Sequence, residues 1–323
     1  MNNQLSPIVS VVMPTYNRAD LLPDVIASVL DQDYGDLELL IVDDGSIDST
    51  EQVITVLQDK DHRLRYKKLP ENKGIGYARQ AGLEQVYGKY VALADSDDTW
   101  RTGKLRKQVD TLENHPEIDI LFADFWNINH ITNLEGSGIE RASAGMRFLS
   151  KRRLEEGLWL IESGFEEGIL RDDFVAAPTL LIRHSIFKKV GGFNPTLMAV
   201  DHEFNFRAAA LGASYAYHSC PMIDRHIYPS SNTRQGVRTI LEVLEALCAC
   251  RHVCESAGRK DLVILIDMAF QRNYISLMDA YSKAGNHKQV WHSYRKVVSY
   301  GFSMRDFVYF LVYWGGAGFK SFV

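Results

Sequence analysis

Four cysteines in 323 residues are too few for a disulfide framework, and their placement argues further against one. Cys220 stands alone. Cys248, Cys250 and Cys254 crowd into seven residues with helical spacing, where they could not all pair with each other. Thiols in a reducing cytosol account for them. Cys250 and Cys254 with His252 fit no standard zinc spacing, and buried free cysteine is common. The sequence also lacks an apolar run long enough to span a bilayer. Residues 1–7 show neither a basic nor an apolar leader segment, so the expectation is a cytoplasmic chain, at most on the inner face of the membrane. Internal repeats and low-complexity tracts are missing too. Positive charge is short: 36 Lys and Arg stand against 41 Asp and Glu, a net charge of −5 that excludes a general nucleic-acid binder. The deficit is uneven, because residues 236–323 carry 11 Lys/Arg and 7 Asp/Glu (+4), which leaves −9 on residues 1–235. An acidic body suits a bound cation, and a basic, aromatic tail suits an anionic membrane surface.

What is present is ordinary globular material, 46% hydrophobic and 24% charged, ample for a sizeable core. At 323 residues the chain is long for one domain and suggests a principal domain with an extension. The β-branched run Ile8–Met13 reads as a buried first strand. Leu21, Leu22, Val25, Ile26, Val29 and Leu30 then recur at helical spacing, with Pro23 tolerable only near the first turn. A second strand at Leu37–Val42, a helix around Val53–Leu57, a strand near Leu64–Lys68, a helix through Val86 and a strand at Tyr90–Ala94 follow. A helix near 103–113 and a strand at Ile118–Ala123 complete the series. Such alternation is the signature of an α/β fold with a mostly parallel, Rossmann-like sheet flanked by helices. The Gly74-Ile75-Gly76 pair follows a polar loop and lacks a third glycine, and no Gly-x-x-x-x-Gly-Lys-Ser/Thr occurs, so neither a dehydrogenase nor a P-loop enzyme is expected.

Residues 133–175 are irregular, and either a pocket-shaping insertion or a surface helical hairpin would fit them. Pro178–Arg183 reads as a strand, Ile186–Val190 as a helix stopped by Gly191-Gly192, Asp201–Leu211 as an amphipathic helix and Tyr215–His218 as a strand. A polar loop, Ser230-Ser231-Asn232, leads into a helical C-terminal extension. We therefore expect a domain over 1–232, with halves near 1–125 and 126–232, and an extension over 233–323. The apolar, aromatic run Phe307–Trp314 reads as a helix packed on the core or on another subunit, as in a homo-oligomer, ahead of peripheral membrane contact.

Ligands of open α/β sheets collect at the carboxyl ends of the strands, and three acids (Asp95, Asp97 and Asp98) follow one strand within four residues. Acids so placed repel one another unless a cation lies between them, and Mg²⁺ or Mn²⁺ takes one or two carboxylates while leaving positions for phosphate oxygens. Tyr16 and Asp44 end neighbouring strands. Tyr16 offers a flat face to a base and Asp44 an acceptor to a ring N–H, as at uracil N3. Each piece has a plain structural alternative as packing, turn or cap. Their coincidence at successive strand ends points to a pyrimidine nucleotide diphosphate site.

Val11-Val12-Met13-Pro14-Thr15-Tyr16-Asn17, Val42-Asp43-Asp44-Gly45-Ser46, Asn72-Lys73-Gly74 and Asp95-Ser96-Asp97-Asp98 together resemble the inverting glycosyltransferases of family two. Gly191-Gly192-Phe193, Asp201-His202-Glu203 and Arg225-His226 resemble that family's downstream landmarks. The resemblance spans about residues 8–232. It implies the glycosyltransferase A-type fold, a nucleotide-sugar donor (a UDP-sugar by first choice) and a Mn²⁺ or Mg²⁺ ion. A glycan or lipid-linked acceptor is implied too. By the same resemblance Pro14, Tyr16, Asp44, Lys73, Arg79, Asp95 and Ser96 would bind the nucleotide-sugar, and Asp97, Asp95 and His226 the metal. Asp201 would be the catalytic base. The family commonly has Glu-Asp before that helix where this chain has Val200-Asp201-His202-Glu203, which keeps Glu203 in reserve. The absence of Gln-x-x-Arg-Trp and of spanning helices argues against a processive membrane synthase. The competing readings are a sugar-phosphate nucleotidyltransferase, which would show a glycine-rich basic loop near Met13–Asn17, and a nucleotide-sugar-binding protein without catalysis.

Overall fold

The computed structural model describes residues 7–228 and 236–301. The chain divides into two compact units between residues 230 and 231.

The first unit is built on a sheet of eleven strands. Val9–Thr15 (β1) is buried along its whole length, as a β-branched run in the middle of a parallel sheet must be. Leu37–Asp43 (β2), Leu64–Lys68 (β3) and Tyr90–Leu93 (β4) join it in parallel, in the order β3-β2-β1-β4. Leu22–Leu30 (α1), Thr50–Gln58 (α2) and Ile75–Leu83 (α3) are the crossovers between them. Pro23 lies in the first turn of α1, where its missing N–H costs nothing. A two-residue strand, Thr99–Trp100 (β5), and Lys104–Asn114 (α4) lead to the long strand Ile120–Asn129 (β6).

Residues 133–175 hold Glu135–Ser137 (β7), two single-turn helices at Gly138–Arg141 (α5) and Ser143–Met146 (α6), the hairpin strands Ser150–Glu155 (β8) and Leu158–Ser163 (β9), and Phe165–Arg171 (α7). The helical hairpin considered for this segment is thus a β-hairpin. It forms the far edge of the sheet, with β8 outermost and β9 inside it. The strand expected at Pro178–Arg183 is shorter, because a 3₁₀ turn takes Ala177–Thr179 and only Leu181–Arg183 (β10) pairs. β10 runs antiparallel between β4 and β6. His184–Val190 (α8) and Val200–Ala210 (α9) follow, and then Tyr215–Ile227 (β11), parallel to β6 and far longer than its apolar start suggests. β1, β2, β4, β6 and β11 consequently all end on one rim.

Glycine is required where that rim is tightest. Gly45 closes β2 with φ +77°, and a Cβ there would lie 2.8 Å from the backbone carbon of Glu71 and 2.9 Å from the amide nitrogen of Asn72. Gly45→Ala should therefore cost about 1–3 kcal/mol of stability, read from the urea midpoint; an unchanged midpoint would show that the turn yields freely.

The second unit consists, among the described residues, of three helices, Val237–Ser256 (α10), Lys260–Lys283 (α11) and His287–Ser299 (α12). Cys250 and Cys254 are buried and Cys248 is exposed. Among the described residues no helix is long and apolar enough to cross a membrane. Phe307–Trp314 and Ser230-Ser231-Asn232 lie outside the described residues.

Candidate active site

The ends of β1 and β2 are stitched together by side chains. Asn17, at φ +51°, donates its N–H to Ser46 Oγ (2.8 Å) and accepts the Ile47 N–H at Oδ1 (2.9 Å). Asp43 accepts the Ser46 N–H (2.8 Å) and the Tyr66 hydroxyl (2.6 Å), so this first acid of the pair serves the turn. Asp44 instead reaches across to the loop before α3 and accepts the N–H groups of Lys73 (2.8 Å) and Gly74 (2.7 Å). Burial pushes its carboxyl pKa up, and the two N–H groups act against that rise. Each oxygen keeps a second lone pair for a ligand. Tyr16, one residue past β1, is 41% exposed and presents its ring, while Pro14 is buried inside the strand opposite Val42. Lys73 holds its ammonium 3.4 Å from Glu71 and 5.0 Å over the Tyr77 ring.

Arg79 lies on α3, and its side chain is 2% exposed. Its guanidinium donates to Asp95 Oδ1 at 2.8 Å and stands 4.0 Å from Asp201 Oδ1. Burial alone would lower its pKa, but the two carboxylates more than offset that and raise it. An always-charged group taken out of water needs such partners. Arg79 is thus a tie between two acids beneath the crevice, rather than an open contact for a base. α3 approaches so closely because Gly76 has no side chain: a Cβ there would lie 2.5 Å from the Leu197 carbonyl oxygen and 2.6 Å from that of Asn194. Those residues lead into α9, which carries Asp201 in its first turn.

The acids after β4 divide their tasks. Asp98 turns inward and accepts the His226 N–H at 3.0 Å, bracing β11. Ser96 is buried. Asp97 keeps 22% of its side chain exposed and accepts a long hydrogen bond from the Arg18 guanidinium at 3.5 Å. Burial, then the Asp95 charge, pushes the Asp97 carboxyl pKa up, with Arg18 and Arg225 working the other way. His226 faces Thr99 Oγ1 with Nε2 (3.4 Å) and His130 Nε2 with Nδ1 (3.1 Å), in a stack with the rings of His130 and Tyr228. Among the described residues no three His, Cys, Asp or Glu side chains are gathered closely enough to hold a metal by themselves. Glu203, held in reserve as base, is excluded. It is 2% exposed and both its oxygens meet Arg207, at 2.6 and 3.1 Å.

A crevice holds two of these acids, Asp95 and Asp201, and is lined besides by Phe125, Asp173, Pro178 and Arg225 among others. Asp173 was not legible in the sequence. It stands in an irregular segment with no periodicity, and only the fold brings it opposite Asp201. Arg225 was visible merely as a landmark beside His226.

The sequence profile of Glycosyl transferase family 2 matches residues 10–174, half of the chain. The chain belongs to glycosyl transferase family 2. Its fold is the family's glycosyltransferase A-type, which it shares with solved structures at low identity. Staphylococcus aureus TarS 1–349 in complex with UDP-GlcNAc is 17% identical at a TM-score of 0.61, over 90% of this chain and 91% of that one. The mannosyltransferase PcManGT of Pyrobaculum calidifontis in complex with GDP-Man and Mn²⁺ is 17% identical at a TM-score of 0.58, over 97% and 81%. In sequence, a stretch of 104 residues (32% of this chain) is 43% identical to the Bacillus subtilis protein named as a putative teichuronic acid biosynthesis glycosyltransferase, TuaG. The chain spans 41% of TuaG and 44% of an uncharacterized Haemophilus influenzae glycosyltransferase, so less than half of either family 2 relative.

Proposed function

We propose that this family 2 protein is an inverting glycosyltransferase that moves a sugar from a nucleoside diphosphate, UDP by first choice, to a hydroxyl of a glycan or lipid-linked acceptor in cell-surface polysaccharide synthesis. The observation that carries the reading is the buried Arg79, whose guanidinium links Asp95, on the donor side, to Asp201, the one acid in the first turn of α9 that remains open to the crevice. TuaG's name and the ligands of TarS and PcManGT support the substrate class.

In this reading Tyr16 stacks on the base and Asp44, fixed by the Lys73 and Gly74 amides, accepts its ring N–H. Lys73 and Ser96 contact the nucleotide-sugar. Asp201 takes the proton of the acceptor hydroxyl as that oxygen attacks the anomeric carbon from the face opposite the nucleotide. A single in-line displacement then inverts the configuration. Asp95 and Asp97 fit a hard divalent cation, Mn²⁺ or Mg²⁺, because they are oxygen donors crowded beyond what Arg18 and Arg225 neutralise. His226 joins them only if its ring turns from His130. Such an ion would act as Lewis acid on the leaving diphosphate.

The test is calorimetric titration of UDP with and without Mn²⁺, followed by nucleotide-sugar turnover. Asp97→Ala is expected to weaken metal-dependent UDP binding about 10- to 100-fold, on the scale seen when metal sites lose a supporting group. Unchanged binding would remove Asp97 from the metal site.

A further inference from the structure

Asp173 has no part in the donor site or in proton transfer as described, yet it shares their crevice. It follows α7, two residues past its end. Its side chain is exposed to solvent at the crevice. The neighbouring crevice walls, and next the Asp201 charge, push its carboxyl pKa up, while Arg225 acts against the rise. Asp173 and Asp201 are therefore close enough to feel one another across the space where an attacking hydroxyl must sit.

The charge balance of that space is specific. Arg79 is committed beneath it to Asp95 and Asp201. Arg225 lines the crevice with Asp173, and its charge lowers the carboxyl pKa values of Asp173, Asp97 and Asp98. Its guanidinium also lies 5.6 Å from the Phe125 ring centroid. Away from the donor-side acids, the crevice lining sets two carboxylates, Asp173 and Asp201, against Arg225, so a uronate or a phosphorylated sugar would enter against repulsion, whereas neutral hydroxyls meet acceptors. Phe125 and Pro178 add an apolar wall for the C–H face of a sugar ring.

We propose that Asp173 is a specificity-determining residue that binds the acceptor sugar through a hydroxyl next to the one Asp201 deprotonates, and that it makes the crevice select neutral acceptor units over acidic ones. This rests on the reading of the site as a sugar-transfer centre. The test follows UDP-sugar turnover with Mn²⁺ in the presence of methyl glycosides of neutral hexoses or of the matching uronic acids, for the wild type, Asp173→Asn and Asp173→Glu. Product formation and competition with water as acceptor are both measured. The wild type is expected to use neutral glycosides in preference to uronides. Asp173→Asn should raise KM for the neutral glycoside about ten- to hundredfold, the scale of a lost hydrogen bond to a charged group, with kcat less affected. It should also narrow the neutral-to-uronide preference, leaving UDP binding and donor hydrolysis by water intact. Asp173→Glu should restore the preference without fully restoring KM. A wild type that neither binds UDP nor turns over any donor overturns the sugar-transfer reading and this inference with it. A turning-over wild type that prefers uronides, responds to neither sugar class, or keeps its acceptor KM in Asp173→Asn overturns the inference alone. If Asp173→Asn melts early, the wild-type preference and Asp173→Glu still decide.

Discussion

Asp201→Asn should lower sugar transfer about 10²- to 10⁴-fold while UDP binding in the presence of Mn²⁺ stays as in the wild type. An amide of the same shape fills the same place in the first turn of α9 but cannot take a proton. The fold should tolerate the change. Arg79 keeps its closer partner, Asp95 at 2.8 Å, and loses only the interaction at 4.0 Å, whose acid is 29% exposed and partly screened by water. Transfer assays paired with calorimetry separate the outcomes. Retained transfer takes the role of base away from Asp201. Lost UDP binding would assign Asp201 to the donor instead.

The parts of this site that were legible in the sequence are those in which local pattern and fold agree. An apolar run that stops in acids marks a buried strand and its carboxyl end, which is why β1, β2 and β4 with Tyr16, Asp44 and Asp95 to Asp98 could be placed beforehand. The bracing role of Asp98 does not belong with them, since the His226 amide that it accepts lies 128 residues further on. What was hidden depends on distant contacts. β8 reads Ser-Lys-Arg-Arg-Leu-Glu, nearly all exposed, and an edge strand buries too little to show an alternating pattern. β11 continues to Ile227 through Pro221 because β6 lies beside it, with register shifts on either side of that proline. No sequence spacing reveals that Glu203 turns inward to Arg207, one helical turn away, while Asp201 stays open. Both are acids in a first turn, and burial alone tells them apart. Asp173 is the extreme case, the second of two adjacent acids in an irregular loop, whose meaning comes from sharing the crevice with Asp201.

The same logic makes Arg79 the residue whose loss should be felt most by the fold. Arg79→Met keeps much of the volume but removes the cation, leaving Asp95 and Asp201 to face one another with Asp97 nearby. Removing one partner of a buried ion pair costs about 3–5 kcal/mol, and here the lower end is expected because water reaches both acids. Arg79→Lys separates charge from geometry. An ammonium is a point donor and cannot span two carboxylates as a planar guanidinium does. It should recover most of the stability, because a positive charge remains beneath the crevice, while transfer stays at least about tenfold down, roughly 1.4 kcal/mol of barrier, because Asp201 is no longer held toward Asp95. Urea unfolding and turnover measured on both variants decide the matter. If Arg79→Lys loses stability and activity in step, Arg79 serves only the fold. If Arg79→Met is as stable as the wild type, the two acids do not depend on it, and the link between donor side and base fails.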